Sequence, residues 1–585
     1  IRSMSRLVGD RTKREHKSWV CPYCLHPFRN EDTLNTHLPY CRIHKPQTIT
    51  FPKNNCLKFT NVQHQFPVPC LIYVDFESFL QKTEEPGVCN LHEPSGFCLY
   101  RTSIWPQFQK QPIVYSGPDV MDKFYDILMD ERREIDAILD RYMPMRPMTK
   151  KEQLEFDAAK LCCCCRRPFT VENRKVKHHC HITGEPLGTC CNNCNLQLKF
   201  RKQNNRHFIP VLGHNMRNYD SHMIIKHFKG KIAETDEIYV IPTNTEKFIG
   251  FSIGNLRFLD TYQFLTSSLD NLVSTLLKSG RQNFVHTKNH FGDDEYVFQK
   301  GVYPYEYMSC RERFFETQLP PIEAFYSELT EECLSDEDYK RARVMWNKYQ
   351  CRTMQDYHDL YLKMDVLLLA DVFENFRQLC MKHFELDPAH YYTLPSFSWD
   401  ACLKYTKVQL ELLTDPDMYL FIENNIRGGI SMISQRYAKA NNPYLEDPDD
   451  YRSDQATRYI TYLDANNLYG FCMTKPLPTG DFRFLSDKEV NRFNIDTVPD
   501  NSAKGYILEV DLQYPENIHD KHNDYPLAPE KMTIREDMLS AYAKSFELRG
   551  YGTEKLVPNL NNKTRYVLHY TNLKLYLELG MQLTK

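Results

Sequence analysis

No run of about 18 apolar residues, the length a helix needs to cross the hydrocarbon core of a bilayer, occurs in this chain. No membrane partner is therefore expected. The start, residues 1–17, is basic and polar and lacks the apolar core of a secretory signal. The expected setting is intracellular, nuclear or cytoplasmic, and not secreted. Position 1 is not Met, and the chain is expected to be a fragment. Charge of one sign is also scarce, since 73 Lys and Arg against 76 Asp and Glu leave a net charge of -3. That excludes a global basic field for nucleic acid, but not a local basic groove. There is no internal repeat and no low-complexity tract. The 585 residues are too many for one core, which predicts roughly three to four domains.

What is abundant is cysteine, and it is clustered. The chain has 21, and without a signal peptide such clusters favour metal binding in a reducing compartment over a disulfide framework. Cys21-x2-Cys24-x3-Phe28-x5-Leu34-x2-His37-x3-Cys41 has the spacing of a ββα zinc finger of C2HC type. Phe28 and Leu34 would form its small core, and Zn²⁺ would replace the larger core that about 25 residues cannot build. A second block, at about residues 160–196, pairs Cys162-x2-Cys165 with Cys191-x2-Cys194, the pattern of a second zinc site. Cys163, Cys164, Cys180 and Cys190 leave its ligand choice open by one position.

Apolar spacing predicts a helix over residues 120–142 and another over 365–384, the latter with Val366, Leu369, Ala370, Phe373, Phe376 and Leu379 as its stripe. Residues 248–261 read as a hairpin turning at Gly254-Asn255, and 459–463 and 505–512 read as strands. A Pro-bearing segment, residues 51–69, leads into a hydrophobic strand that ends in Asp75-Phe76-Glu77.

Asp75 and Glu77, at i and i+2 of a strand, point to one face. Asp220 follows in Asn215-Met216-Arg217-Asn218-Tyr219-Asp220, and Asp365 in Tyr361-Leu362-Lys363-Met364-Asp365. Four carboxylates can hold the two hard divalent ions, Mg²⁺ or Mn²⁺, that cleave a phosphodiester by the two-metal route. Tyr361 lies one helical turn before Asp365, where its hydroxyl can orient the attacking water. Asp464 ends the predicted strand 459–463 and is followed by Asn466-Asn467-Leu468-Tyr469. A carboxylate for metals, a turn for a triphosphate and a flat ring beneath a sugar are parts of a nucleotidyl-transfer site.

In that order the motifs resemble the protein-primed branch of the family B DNA polymerases, of Polinton/Maverick and related viral or organellar type. The resemblance runs from Phe66 to Lys585. It implies an α/β multi-domain chain: an RNase H-like 3′–5′ exonuclease with a zinc-binding insertion, then a partial α+β palm. The corresponding boundaries are 1–65, 66–415 and 416–585. By the same resemblance Asn215 and Tyr219 hold the single-stranded primer end, and Lys300, in Lys300-Gly301, supports exonuclease catalysis. Asp260-Thr261 has a looser likeness to a strand-binding motif. Asp464, Asn467 and Tyr469 fall in polymerase motif A, with Asn467 in place of Ser and Gly470 in place of Pro. Gly428 and Gly429 match a Tyr-x-Gly-Gly linker in which Ile426 replaces Tyr. No Asp-Thr-Asp triplet follows Asp464, so the chain looks truncated before motifs B and C, and exonuclease is the activity expected of it alone. DNA primer-templates, single-stranded 3′ ends, deoxynucleoside triphosphates and a terminal-protein primer are the implied partners.

The second cysteine block also resembles ββα-metal nucleases of the endonuclease VII type, through His178-His179-Cys180-His181 and Asn195. His179 and Asn195 match; His178 stands where Asp is expected, which suits Mg²⁺ poorly. A zinc-stapled brace is the alternative for this block. For the whole chain the alternatives are a stand-alone DNA exonuclease with a decayed polymerase half, and a non-catalytic zinc-based DNA-binding protein.

Overall fold

The computed structural model describes residues 19–24, 26–28, 30–43, 50–83, 90–197, 207–243, 247–328, 331–545 and 554–585. The basic start, residues 1–17, lies outside them. The chain divides into two compact units, residues 58–408 and residues 1–57 with 409–585. It is a mixed α/β protein, and no described helix is long and apolar enough to cross a membrane.

The unit 58–408 is built on a seven-stranded sheet. Its strands are β1 (Cys70–Lys82), β2 (Asn90–Ser103) and β3 (Ile113–Tyr115), followed by helix α1 (Val120–Leu139). The insertion then contributes β4 (Lys175–His179), β5 (Pro186–Cys191) and α2 (Asn192–Gln197) as a separate antiparallel pair with its helix. The main sheet resumes with β6 (Ile209–Gly213), α3 (Asp220–His227), β7 (Ile238–Pro242), β8 (Phe248–Ile253) and β9 (Leu256–Asp260). The last major element is α4 (Met354–Phe384). Strand order is β7-β8-β9-β6-β1-β2-β3. Strands β9, β6 and β1 run parallel, and the outer pairings are antiparallel.

Alternation along β1 explains the layers. Cys70, Ile72, Val74 and Phe76 pack with α1 and α3, whereas Leu71, Tyr73 and Phe79 pack with α4. Both faces are covered, as a sheet with parallel strands at its centre requires. Helix α4 begins eleven residues before the predicted start, at a capping box in which Thr353 and Asp356 exchange hydrogen bonds. It is buried on nearly every side between Leu360 and Phe373, so no single stripe marks that stretch, and in the last turns Leu379, the final member of the predicted stripe, is exposed. Gly96 of β2 lets α4 approach, since a Cβ there would collide with His358.

The start of β1 is tied to α4 by a buried ion pair. Arg377 donates to both oxygens of Asp387, at 3.0 and 2.6 Å, and to the Val68 carbonyl at 3.0 Å. Asp387 accepts in turn from the Val68 amide at 2.7 Å. Burial acts to raise the Asp387 carboxyl, but the Arg377 guanidinium holds it below the usual range.

In the other unit, Trp19–Val20 pairs with Pro27–Phe28 and is followed by the helix Glu31–Ile43, the ββα order that the finger spacing predicts. Farther on, β10 (Ile507–Gln513) pairs antiparallel with β11 (Lys563–His569) and with β12 (Gln582–Leu583), with helix α5 (Tyr570–Glu578) between the last two. Val510, Leu512, Tyr566, Leu568 and Leu573 form their core. The strand predicted over 459–463 is absent. Those residues carry no regular secondary structure and have no ladder partner, and Tyr459, Ile460, Tyr462 and Leu463 are exposed. β-Propensity alone does not make a strand when no neighbour accepts its backbone hydrogen bonds.

Breaking a buried ion pair by removing one partner costs about 3–5 kcal/mol. Arg377→Ala is expected to lower the opening free energy of the β1 amides Leu71 to Val74 by about that amount, read by native-state hydrogen exchange. Unchanged protection there would show that the ion pair does not brace the strand.

Candidate functional site

The strands β1, β6 and β9 are parallel, so their C-terminal ends open at one side of the sheet. Asp75 and Glu77 lie toward this end of β1, on the face that carries Leu71 and Tyr73 and meets α4. A bulge between Glu77 and Ser78 follows. At the end of β6 the chain turns through Asn215, in the left-handed region at φ 60°, into a short 3₁₀ turn and then α3, whose first residue is Asp220. At the end of β9 stands Asp260, which accepts hydrogen bonds from the Arg217 amide at 3.1 Å and the Tyr262 amide at 2.9 Å. Thr261 donates to the Gly213 carbonyl at 3.1 Å, which locks the two strand ends together. Helix α4 supplies Tyr361 and Asp365 from above.

The four predicted carboxylates act on one another electrostatically. Burial and the negative charge of Asp365 push Asp75 up to about 7. Burial and Asp75 raise Glu77 well above the carboxylate range, and burial with Asp75 and Asp260 does the same to Asp220. Asp365 is raised by burial and pulled back by Lys300. Lys300 Nζ lies 3.1 Å from Asp365 Oδ2. Burial acts to lower the Lys300 amine, but Asp365, Tyr305, Asp75 and Glu77 hold it well above its usual range. Asp365 Oδ1 is buried without a hydrogen-bond partner. Asp371, two turns along the same helix, has both oxygens satisfied by the amides of His286 (2.7 Å) and Thr287 (3.0 Å).

These features suit a cation. Buried like charges and an open carboxylate oxygen are costly unless a positive charge is brought among them. The donors are hard oxygens, the set that Mg²⁺ or Mn²⁺ takes. No three of these carboxylates bring their oxygens within 4.8 Å of one another, so they do not form a closed shell for a single ion.

Around them sit residues that sequence reasoning passed over. Tyr305 and Tyr361 share a hydrogen bond between hydroxyls at 2.6 Å, and the Tyr303 ring stacks on Tyr361 at 4.9 Å. The Lys300 amine lies 5.7 Å from the centre of the Tyr361 ring. Gly301 makes that approach possible, since a Cβ there would stand 2.6 Å from the ring. The signal was present as Tyr303 and Tyr305, spaced by two after Lys300-Gly301. His92 bonds the Tyr219 hydroxyl at 2.7 Å through Nδ1; nothing in its sequence surroundings marks it. Asn215 is exposed and Tyr219 half-buried at the mouth, whereas Asp220 is buried.

The polymerase-like residues lie in the other unit. Asp464 and Tyr469 are exposed, and neither side chain makes a hydrogen bond among the described residues. Asn467 adopts the left-handed region at φ 51° and caps the helix Leu468–Met473 by accepting from the Gly470 amide at 3.1 Å. Gly428 and Gly429 have open space where a Cβ would go. Gly428 borders a cavity of about 340 Å³ lined also by Arg427, Tyr566, His569 and Tyr576.

Both Cys/His sets converge. The ligand atoms of Cys21, Cys24, His37 and Cys41 lie within 4.8 Å of one another, as do those of Cys162, Cys165, Cys191 and Cys194. Thiols with or without imidazole in such groups suit zinc. In the second block β4, β5 and α2 give a ββα order, but Asn195 Oδ1 is engaged by His178 Nδ1 at 2.9 Å.

The sequence model of the family described as DNA polymerase type B, organellar and viral, matches residues 201–548, more than half of the chain. The chain belongs to the family B DNA polymerases. It is of their protein-primed type. At the family level it is a DNA-directed DNA polymerase, acting on primer-template DNA with deoxynucleoside triphosphates and divalent metal. The match includes Asn215, Asp220, Lys300, Asp365 and Asp464, and it leaves out Asp75, Glu77 and both cysteine blocks. No curated protein sequence matches the chain.

A carboxyl whose folded pKa is raised binds its proton more tightly folded than unfolded. The stability it contributes is complete below about pH 4, the unfolded value, and is lost as pH rises through about 7 for Asp75. In chelator the melting temperature of the chain is therefore expected to fall between about pH 5 and about pH 8. Asp75→Asn should flatten that slope, and excess Mg²⁺ should raise the melting temperature most at the alkaline end. A slope that Asp75→Asn leaves unchanged would remove Asp75 from the coupled cluster.

Proposed function

We propose that residues 58–408 form an RNase H-like 3′–5′ exonuclease that proofreads for the polymerase to which Asp464 contributes. The observation that carries this reading is the electrostatic coupling of Asp75 with Glu77, Asp220 and Asp365, with Lys300 on Asp365, near the C-terminal ends of parallel strands. Bound there, divalent cations would activate a water and stabilise the leaving 3′ oxygen. The chain's own groups do the rest. Asn215 and Tyr219, at the mouth, take the frayed single-stranded end. Tyr361, fixed by Tyr305, orients the water with its hydroxyl. Lys300 keeps Asp365 ionised, so that Asp365 offers two anionic oxygens rather than a proton.

In the other unit Asp464 is the metal-binding carboxylate of polymerase motif A, Asn467 shapes the turn that meets the triphosphate, and Tyr469 is the ring that rejects a 2′-hydroxyl. Gly428 and Gly429 form the linker between the two activities, and a terminal protein supplies the priming hydroxyl. The exposure of Asp464 and Tyr469 leaves exonuclease as the activity expected of these residues by themselves. Zinc at Cys21, Cys24, His37 and Cys41, and at Cys162, Cys165, Cys191 and Cys194, is structural.

The test is stepwise degradation of 3′-mismatched single-stranded DNA with Mg²⁺, beside the double variant Asp75→Ala/Glu77→Ala. Wild-type trimming that drops by about 10³-fold or more in the variant is expected, the scale of losing charge stabilisation at a reacting centre. Lys300→Gln is expected to slow trimming less. DNA binding without any trimming by folded wild type would favour the zinc-based binding reading. Cutting that survives in the double variant would move the activity to the block holding His178 and His179.

A further inference from the structure

The zinc site at Cys162, Cys165, Cys191 and Cys194 leaves Cys163, Cys164, Cys180 and Cys190 over, and three of these, Cys163, Cys164 and Cys190, do not scatter. Cys163 Sγ lies 3.0 Å from Cys190 Sγ, Cys164 Sγ lies 3.3 Å from Cys190 Sγ, and Cys163 and Cys164 are 3.6 Å apart. All are free thiols. Cys162, Cys164 and Cys190 form a group of their own within 4.8 Å, so Cys162 belongs to both sets, while Cys163 stands outside this group on the far side of Cys164 and Cys190. In a zinc tetrahedron with Zn–S bonds of about 2.3 Å the sulfurs stand about 3.8 Å apart. A disulfide holds them at about 2.0 Å. The three spare thiols are spaced near the edge of a metal shell and well outside bonding distance.

Local structure accounts for two sets rather than one. Four consecutive cysteines wrap around a tight turn closed by the Arg166 amide on the Cys162 carbonyl, at 3.0 Å. Cys190 and Cys191 are successive residues of β5, and successive strand residues point to opposite faces. Cys191 thus reaches one set and Cys190 the other. Between them, Cys162 Sγ accepts from the Cys164 amide at 3.4 Å and the Cys191 amide at 3.3 Å, which favours its thiolate. The insertion has little else to hold it: its buried cluster consists of Cys162, Cys190, Cys191 and Cys194. Thiols crowded this way repel as thiolates and pack poorly as a core, and soft metal ions resolve both problems. Arg166, Arg167, Arg174, Lys175 and Lys177, in the same block, offset the negative charge left by seven thiolates on two divalent ions.

We propose that the insertion holds a two-zinc thiolate cluster bridged by Cys162. Cys165, Cys191 and Cys194 complete the shell of one zinc; Cys164 and Cys190 hold the other with Cys162, and Cys163, beside them, moves in as its fourth ligand. The test is native mass spectrometry of the full chain carrying Cys21→Ser/Cys24→Ser, which removes the finger zinc from the count. Two zinc ions per chain are expected, falling to one when Cys164→Ser/Cys190→Ser is added. One zinc in both proteins, with Cys163, Cys164 and Cys190 freely alkylated in the native state, overturns the proposal. Should the quadruple variant unfold, zinc X-ray absorption on the wild type decides: a Zn–Zn scatterer supports the bridge and its absence overturns it. Zinc counting is independent of DNA cleavage, so this result and the exonuclease result stand apart.

Discussion

Everything in the unit 58–408 depends on α4 lying against one face of β1. The strand is buried on both sides, and the helix is buried nearly all round where they meet. That packing brings Asp365 opposite Asp75 and Glu77 and excludes the water that would otherwise solvate three carboxylates. Tyr73 marks the contact, its hydroxyl donating to Glu374 at 2.9 Å, and the Arg377–Asp387 pair closes its far end. The hydrophobic burial that holds the layers together also forces the acidic groups into an environment where one charge raises the next. Folding energy is spent to store an unfavourable field, and a cation is its natural release.

The two halves of the chain treat their acidic motifs differently. Asp75, Glu77, Asp220 and Asp365 sit inside a finished core, with their neighbours fixed by packing and hydrogen bonds. Asp464 stands on a segment with no regular secondary structure and no sheet partner. The cysteine blocks follow a third rule, in which donor atoms replace apolar side chains as the thing that converges.

Much of this was legible in the sequence, for identifiable reasons. Local signals carried well: the hairpin at Gly254-Asn255, the helix after Val120 and the ββα order of the finger depend on neighbours along the chain, whereas β10 was legible from its alternation although its partner β11 is distant. The start of α4 was missed because residues 354–364 mix His358, Asp359 and Lys363 with apolar positions, and burial on every side erases a stripe. The strand at 459–463 was overread because its composition is strand-like while pairing is a property of the rest of the sheet. Tyr305 and His92 escaped because their partners, Tyr361 and Tyr219, are 56 and 127 residues away. Asp365 and Asp371 share one helix, and their partners tell them apart: the amides of His286 and Thr287 satisfy Asp371, while Lys300 and an open oxygen mark Asp365.

Gly301 couples parts of the site that chemistry alone would leave separate. With no side chain between them, the backbone that carries Lys300 rests on the face of Tyr361, so ring and amine form one mechanical piece. Any side chain at this position would wedge the ring and the backbone apart, so the missing Cβ sets how near the Lys300 ammonium can stand to both Tyr361 and Asp365.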